Sequence, residues 1–479
     1  MSRACARQRC SWTSSSCGSG RGKACSCSPS NQLDSRCESP ADRVLQQRPA
    51  DAATSLAHWT DVAQTAEAGC MDFLFIADSP AVAPGPFEAS ARWTNSMNRL
   101  EPLTLLSALA TQTSHLGLAA TASTSFTEPY NLARMFASLD HLSGGRAAWN
   151  VVTSDHLATS YNYGQDGLEP HSIRYEKADE FLDVVKGLWD SYDDDAFVAD
   201  KESGYYFAPD RLHQLDHEGA HFKVRGPLNM ARPPQGHPVI VQAGGSDAGR
   251  ELAARTAEVI FSVGSSLEDA KAFYADVKGR MAKYGRDPDD LKILPGIPVY
   301  VGKTHAEAQA KLDALSDSLH PDAGLSLLQM FMTGVDFSGL DLDEPVPEDR
   351  VQQASNASKA IYSVARKLIL EDRLTLRQMI QHWAAQSSHT LFLGDPVEVA
   401  DKMQHWIDEG AGDGFIIMSP VQGSYLKDFT SLVVPELQKR GVFRTEYTGK
   451  TLRENLGLAR PVSRFKTAKQ ETAKQDENA

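Results

Sequence analysis

Polar side chains close several of the apolar, strand-like runs in this sequence of 479 residues. Asp78 ends the first run, Thr124 follows the next, and Asn150 lies near the end of the third. Parallel strands flanked by helices bring their carboxyl ends to one face, where ligands bind. A carboxylate, a hydroxyl and an amide at such a face can hydrogen-bond a polar ligand. We therefore expect the three side chains to line one site.

The segment Gly244-Gly245-Ser246 suits the binding of a phosphate, because it follows an apolar run and opens a helical pattern. Two glycines let backbone N–H groups approach a ligand closely, and the helix N-terminus adds a partial positive charge. His171 and Tyr175 are four residues apart at the start of another helical pattern, so they share one face that points toward the same rim. Together these features favour a cofactor that carries an anion.

Each of these residues also has a purely structural interpretation. A carboxylate such as Asp78 often caps the segment that follows a strand. Asn150 inside an apolar strand is compatible with a satisfied core amide, and His171 with an ordinary histidine in a first helical turn. A single Gly-Gly-Ser before a helix is weak evidence. Only the convergence of these residues on one rim points to a cofactor.

Seven apolar runs alternate with helical patterns, and they cover residues 73–77, 115–123, 146–154, 238–243, 258–263, 291–301 and 413–420. Such alternation predicts parallel βα units, and nearly continuous apolar strands predict a sheet buried on both faces. Seven strands are one fewer than a (β/α)8 TIM barrel requires, and the eighth would precede the helix that begins near Thr54. The sequence therefore predicts an α/β barrel with its first strand divergent or missing. Residues 192–237 and 316–377 are predicted long insertions.

Residues 1–50 differ from the rest of the chain in composition. Six of the seven cysteines lie there, namely Cys5, Cys10, Cys17, Cys25, Cys27 and Cys37. No histidine is near them and Cys25-Ser26-Cys27 is too tightly spaced for a usual pair of zinc ligands, so we expect no metal site. The basic, serine-rich composition resembles an organellar targeting segment; plain disorder and an upstream stretch translated from a mispredicted start are the alternatives. We divide the chain into this disordered or aberrant segment (1–50), a barrel (51–445) and a C-terminal extension with a disordered tail (446–479).

The charge and hydropathy of the chain exclude some classes of partner. A net charge of −14 argues against a nucleic-acid partner, and no apolar run approaches the ~18 residues that a membrane helix needs. After residue 50 the chain holds one cysteine, Cys70, which indicates a reducing compartment. We therefore expect a cytoplasmic location, with organellar targeting by residues 1–50 as the alternative.

Two long motifs resemble the nitrilotriacetate monooxygenase family, which belongs to the bacterial-luciferase-like flavoproteins. The first is Leu-Asp-His-Leu-Ser-Gly-Gly-Arg-Ala-Ala-Trp-Asn-Val-Val-Thr-Ser at 139–154, and the second is His-Ser-Ile-Arg-Tyr-Glu-Lys-Ala-Asp-Glu-Phe at 171–181. The segment 242–250 is similar to the phosphate loop of the family, and 392–396 and 412–415 resemble its closing segments. The match runs from about His58 to Arg444, so it covers the predicted barrel.

The resemblance implies a flavin-dependent monooxygenase that uses reduced FMN and O2, forms a flavin hydroperoxide and oxygenates a small organic substrate. The residues that it implies for flavin binding are Asp78, Thr124, Asn150, His171, Tyr175, Gly245 and Ser246. Of these, Asn150 would face the isoalloxazine edge, and Asn150 and His171 would be the catalytic helpers. His171 and Tyr175 would lie toward the ribityl-phosphate side, with Ser246 at the phosphate.

The chain has no Gly-x-Gly-x-x-Gly after a strand and no second nucleotide-binding unit. We therefore expect a separate NAD(P)H:flavin reductase to supply FMNH2, and the resemblance implies a homodimer or a higher homo-oligomer. Members of the family begin with a barrel strand and a histidine-bearing loop, and residues 1–50 resemble neither. Two alternatives thus remain: a deazaflavin-dependent dehydrogenase of the same superfamily, and a flavin-binding but inactive paralogue.

Overall fold

The computed structural model describes residues 51–82, 98–154, 156–332, 335–351, 366–386, 389–421 and 423–466. Their strands are β1 (Phe73–Ile76), β2 (Gly117–Ser123), β3 (Ala147–Val152), β4 (His217–Glu218), β5 (Lys223–Val224), β6 (Val239–Gln242), β7 (Val259–Val263), β8 (Lys292–Val301), β9 (Phe392–Gly394) and β10 (Ile416–Met418). All strands but β4 and β5 form one parallel sheet, and β4 and β5 form a separate antiparallel hairpin.

Helices follow most of the strands of the large sheet. They are α1 (Leu56–Ala68), α2 (Pro102–Leu109), α3 (Pro129–Ser143), α4 (Leu157–Asn162), α5 (His171–Trp189), α6 (Asp247–Thr256), α7 (Leu267–Met281), α8 (His305–Ser318), α9 (Pro321–Phe331), α10 (Leu376–Gln386), α11 (Pro396–Asp408), α12 (Ser424–Asp428), α13 (Val434–Lys439) and α14 (Leu452–Asn455). Short 3₁₀ turns lie at Pro209–Arg211, Ala282–Tyr284, Pro288–Asp290 and Glu348–Arg350, and π-helical turns at Lys367–Glu371 and Phe429–Val433.

Local capping fixes where several of these helices begin. Ser246, Ser266 and Thr304 each accept a hydrogen bond from a backbone N–H in the first turn of the helix that they precede. Such caps satisfy donors that the helix itself leaves unpaired. Because each capped helix follows a strand of the sheet, the caps set the point at which the chain turns from strand to helix.

The large sheet curls so that its inner face encloses a common core. Its pairing order is β1-β2-β3-β6-β7-β8-β10, and β9 also pairs with β8. Side chains from both ends of this order, Phe75 on β1 and Ile416 on β10, join Val241 and Leu294 in one hydrophobic cluster. The Phe75 ring also stacks on Phe261 of β7, with 6.1 Å between centroids. This curling confirms the predicted TIM-type α/β architecture.

Within the described ranges no strand joins β1 to β10, so the sheet has two edges. The surrounding helices continue across the gap between β1 and β10, because α1 packs against α2 on one side and against α12 on the other. The seven predicted strands are all present. The predicted missing strand would fall in residues 1–50, which lie outside the described residues, as do the tail 467–479 and the six N-terminal cysteines.

Both predicted insertions carry structure of their own. The segment between α8 and β9 has a separate hydrophobic cluster that includes Phe337, Met379 and Trp383. The segment between α5 and β6 carries the hairpin β4–β5, which the apolar pattern does not predict. Glu180 on α5 accepts hydrogen bonds from the backbone N–H groups of His221 and Phe222, which holds the hairpin against the helix.

The described part of the C-terminal extension, which ends at residue 466, closes the end of the barrel where the strands begin. Leu452 on α14 is fully buried beside the start of β2, and its N–H donates to the Gly145 carbonyl. Arg453 is buried beside it and pairs with Glu258 at the start of β7. None of the helices in the described ranges is long and apolar enough to cross a membrane.

Candidate functional site

The predicted polar residues lie at the carboxyl ends of neighbouring strands. Thr124 directly follows β2, where its N–H and its hydroxyl both donate to the Val152 carbonyl at the end of β3 (2.9 and 3.2 Å). Asp78 follows β1, which is the neighbour of β2. The pairing order thus brings Asp78, Thr124 and Asn150 to three adjacent strand ends at one rim.

Asn150 points into the upper part of the barrel and has an unsatisfied oxygen. Asn150 is two residues after Ala148 on β3, so its side chain lies on the same, inward face of the sheet. Only 3% of its surface is exposed. Its Nδ2 donates to the Thr121 hydroxyl at 2.8 Å, and that hydroxyl donates to the Ile76 carbonyl at 2.8 Å. Its Oδ1 is buried without a hydrogen-bond partner. Buried amides are usually satisfied, so this oxygen is ready to accept a hydrogen bond from a ligand.

Asp78 faces a cation at the same rim. Its carboxylate lies 3.7 Å from the guanidinium of Arg99. Burial raises the pKa of Asp78, and the charge of Arg99 opposes that rise. This pair places a negative and a positive group side by side at the end of β1.

The turn between β6 and α6 is shaped for close approach of a ligand. Gly244 and Gly249 touch backbone to backbone, because a Cβ on either would lie 3.0 Å from the main chain of the other. Around Gly245, in contrast, nothing lies within 4 Å of where a Cβ would stand. The Arg250 side chain donates from Nε to the Gly245 carbonyl at 3.1 Å, which fixes the turn. The turn thus presents backbone and open space together, as a phosphate cradle requires.

The structure brings His171 and Tyr175 to this turn. Their rings lie 4.7 Å apart in the first two turns of α5. The Tyr175 hydroxyl lies 3.4 Å from the Ser246 hydroxyl, which itself caps α6 by accepting from the Gly249 N–H at 3.1 Å. The predicted phosphate residues therefore form one contiguous group. Asp78 lies at the end of β1, which β2 and β3 separate from the strand β6 that leads into the Gly244 turn.

Arg174 connects the two halves of the rim, and the sequence patterns did not single it out as a site residue. It is buried on α5 and donates to the carbonyls of Glu169, Thr153 and Ser154. Ser154 has a positive φ of 43°, which is uncommon for a residue other than glycine. Arg174 thus holds the strained loop after β3 against the start of the helix that carries His171 and Tyr175.

His389 is a second residue that the sequence patterns missed. It precedes β9, and its ring packs against Phe261 with 5.6 Å between centroids. Three residues form β9, too few to produce a recognisable apolar run. A polar pair, His389-Thr390, directly before an apolar segment was the only available signal.

The donor set fits a flavin mononucleotide. The orphaned Asn150 oxygen would accept a hydrogen bond from a flavin ring N–H, and the open Gly245 turn beside the N-terminus of α6 would receive an anion. Among the described residues there is no group of three or more His, Cys, Asp or Glu side chains that could hold a metal ion.

A family model and individual proteins of similar sequence both relate this chain to monooxygenases. The model of the luciferase-like monooxygenase family matches residues 41–413. The chain is 49% identical to nitrilotriacetate monooxygenase component A of Aminobacter aminovorans over 85% of this chain and 91% of that protein. It is 47% identical to N-acetyl-S-(2-succino)cysteine monooxygenase of Bacillus subtilis (strain 168), over 87% and 93%.

A solved structure shows the same fold with a flavin. The crystal structure of a riboflavin lyase with modified FMN and riboflavin superimposes with a TM-score of 0.78 and 32% identity, covering 88% of this chain and 93% of that one. Two deazaflavin (F420)-dependent enzymes also superimpose, but at 16% and 14% identity they support the fold alone.

Proposed function

The chain belongs to the luciferase-like monooxygenases, and from that membership we propose that it is the oxygenase component of a two-component, FMN-dependent system. In this proposal a separate NAD(P)H:flavin reductase supplies FMNH2, which diffuses to the rim described above. The "component A" in the name of the nitrilotriacetate enzyme supports a partner component. When bound, reduced FMN activates O2 and provides the oxygen atom that the substrate receives.

The observation that carries the proposal is the turn Gly244-Gly245-Ser246 with Tyr175 beside it. It combines a capped helix N-terminus, open space at Gly245 and two hydroxyls 3.4 Å apart. Such a combination suits a phosphate monoester, because aligned N–H donors and the helix dipole both favour negative charge. Riboflavin, which lacks the phosphate, gains none of these contacts.

The remaining rim residues orient the flavin in this proposal. Asn150 accepts a hydrogen bond from the ring edge at its unpaired Oδ1, and Thr124 and Asp78 supply further polar contacts at the adjacent strand ends. His171 lies beside Tyr175, on the ribityl-phosphate side. The apolar Phe75–Phe261 pair in the interior of the barrel would help to exclude water from a bound flavin.

We further propose that the substrate is a small polycarboxylate with an oxidisable heteroatom. The two relatives above are 49% and 47% identical to this chain, and both of their names denote polycarboxylates that carry nitrogen or sulfur. Relatives at 40% and 37% identity are named for an aryl sulfone and for long-chain alkanes. The two relatives named for polycarboxylates are thus more similar to this chain than those named for the sulfone and the alkanes.

Titration of the purified chain with FMN and with riboflavin tests the cofactor assignment. We expect FMN to bind at least tenfold more tightly, because hydrogen bonds to a charged group contribute about 1.5–3 kcal/mol and 1.4 kcal/mol is a factor of ten. Equal affinities would show that the glycine turn does not hold the phosphate.

Turnover tests the reaction. With a flavin reductase, NADH and FMN, we expect nitrilotriacetate or N-acetyl-S-(2-succino)cysteine to be oxygenated, with one oxygen atom from O2 appearing in the product. Turnover with a deazaflavin and no O2 uptake would replace the proposal by a dehydrogenase. Tight FMN binding without product from either compound would contradict the proposed substrate class and favour the inactive paralogue.

A further inference from the structure

Three side chains meet on the interior face of β8 at a position that has no side chain of its own. A Cβ on Gly296 would lie 2.4 Å from a ring carbon of Phe261, 2.9 Å from Cε1 of His389 and 3.0 Å from the sulfur of Met418. Gly296 is two residues after Leu294 on β8, and so lies on the same face of the sheet. Leu294 belongs to the interior cluster, so this face points into the barrel. Glycine at 296 is therefore what allows the His389 imidazole to stand inside the barrel.

Hydrogen bonds to β8 and to the residue after β7 anchor His389 and its neighbour Thr390. The N–H and the hydroxyl of Thr390 donate to the Gly264 carbonyl after β7 (2.7 and 2.8 Å). Nδ1 of His389 lies 2.9 Å from the Gly296 carbonyl on β8. Because a carbonyl only accepts, Nδ1 carries the proton and donates. The ring is thus fixed at both its backbone and its Nδ1 edge.

The opposite edge of the ring remains available. Burial lowers the pKa of His389, so the ring is neutral and Nε2 holds a lone pair. No group in the described part of the chain hydrogen-bonds Nε2. The residue is 7% exposed, so Nε2 is left for a ligand that reaches the interior of the barrel.

The described side chains that lie beside His389 at Gly296 are apolar. Phe261 packs on its ring and stacks in turn on Phe75 across the barrel, and Met418 lies at the same glycine. A ligand over these side chains meets a dry surface with one hydrogen-bond acceptor. In an apolar environment a single polar contact has a large effect on which ligand binds, because an unpaired polar group there costs free energy.

We propose that His389 is a substrate-binding residue, whose Nε2 accepts a hydrogen bond from an N–H group of the substrate. The inference rests on the proposed function and narrows its substrate class to amines and amides. Protonated nitrilotriacetate has an ammonium N–H, and N-acetyl-S-(2-succino)cysteine has an amide N–H. Both therefore serve as probes.

Two substitutions separate substrate binding from a structural role. The amide nitrogen of Asn in H389N reproduces the Nδ1 donor to Gly296 but leaves nothing at Nε2. The longer side chain of H389Q places an amide oxygen near Nε2 but gives up the Gly296 contact. We expect H389N to raise KM for the probe that is turned over about tenfold, since one hydrogen bond is lost, and H389Q to restore most of it. If His389 had only a structural role, H389Q would raise KM more than H389N, because H389Q loses the Gly296 contact.

Chemical modification provides a readout that does not depend on turnover. Diethyl pyrocarbonate acylates accessible neutral imidazoles, and mass spectrometry locates the modified residue. We expect His389 to react in the FMN-bound protein and to be protected by either probe. Within the same sample, exposed His320 should react with or without a probe, and His237, buried and bonded to Asp190, should not react.

The outcomes distinguish this inference from the proposed function. If His389 is as unreactive as His237, or reacts equally with and without both probes, His389 does not contact the substrate. If H389N keeps the wild-type KM, the inference is also wrong. FMN affinity should be unchanged in both variants, so the flavin titration decides the proposed function independently.

Discussion

Ser246 has two roles that can be separated by measuring stability and flavin affinity on the same variant. Its hydroxyl caps α6 through the Gly249 N–H, and it also lies 3.4 Å from the Tyr175 hydroxyl at the proposed phosphate position. Ser266 provides a matched control. It caps α7 through the Asp269 N–H at the same distance of 3.1 Å, and no tyrosine hydroxyl among the described residues hydrogen-bonds it.

Both Ser246→Ala and Ser266→Ala should lower the free energy of unfolding by about 1 kcal/mol, as the loss of an N-cap does. Only Ser246→Ala should weaken FMN binding, by about tenfold, because only that hydroxyl meets the phosphate. Urea denaturation and fluorescence titration measure the two quantities. An equal loss of flavin affinity in both variants would place the phosphate elsewhere.

In the proposed flavin site, Asn150 is a group kept for function at the expense of stability. Its buried Oδ1 has no partner in the protein alone, and an unsatisfied polar group costs about 1–3 kcal/mol. We expect Asn150→Leu to leave the urea midpoint of the flavin-free protein unchanged or to raise it, while FMN affinity falls about tenfold.

Thr121→Val is the contrasting variant. It removes the hydroxyl that accepts from Asn150 and donates to the Ile76 carbonyl, and so leaves the Asn150 amide nitrogen without its partner. Its flavin-free form should lose about 1–3 kcal/mol of stability. If Asn150→Leu destabilises the flavin-free protein just as much, Asn150 is a structural amide.

At the scale of elements, the geometry of the site depends on how α5 is held. Arg174 donates to carbonyls before α5 and after β3, and thereby fixes the helix turn that presents His171 and Tyr175. Arg255 on α6 also contacts α5, through Asp179 and Asp183, but two to three turns beyond His171. The two arginines allow position and stability to be tested separately.

Arg174→Met should lower FMN affinity about tenfold, because the carbonyls that it orders are left unsatisfied and the rim loosens. Arg255→Met removes a partly exposed ion pair worth at most about 1 kcal/mol and should not change FMN affinity. Flavin titration at equal fractions of folded protein measures both. Flavin affinity unaffected by Arg174→Met would contradict a positioning role.

The elements that the sequence predicted share a strong local signal. Seven of the eight strands of the large sheet are apolar runs, and the turn at Gly244 combines two glycines with a capping serine. The hairpin β4–β5 and the strand β9 have two or three residues each, so tertiary contacts decide them: Glu180 holds the hairpin and β8 pairs with β9. The sequence placed Asn150 on a strand, but an unpaired oxygen depends on neighbouring strands and could not be predicted.

At the scale of the whole molecule, the two ends of the barrel have different tasks. The candidate site lies at the carboxyl ends of the strands, as is usual in this architecture. The opposite end is closed by the C-terminal extension, where Leu452 and Leu458 enter the interior cluster and Arg453 pairs with Glu258. Substitutions there should affect folding without affecting the flavin.

Leu452→Ala tests this division of tasks. Leu452 is fully buried at the closed end, so its truncation should lower the free energy of unfolding by about 2–5 kcal/mol. Leu142→Ala, at a leucine that is 64% exposed, is the matched control and should change stability by no more than about 0.5 kcal/mol. FMN affinity of the folded fraction should stay at the wild-type value in both variants, because distant sites act independently. Weaker flavin binding in Leu452→Ala alone would mean that the closed end sets the geometry of the rim, and the two ends would then have to be treated as one cooperative unit.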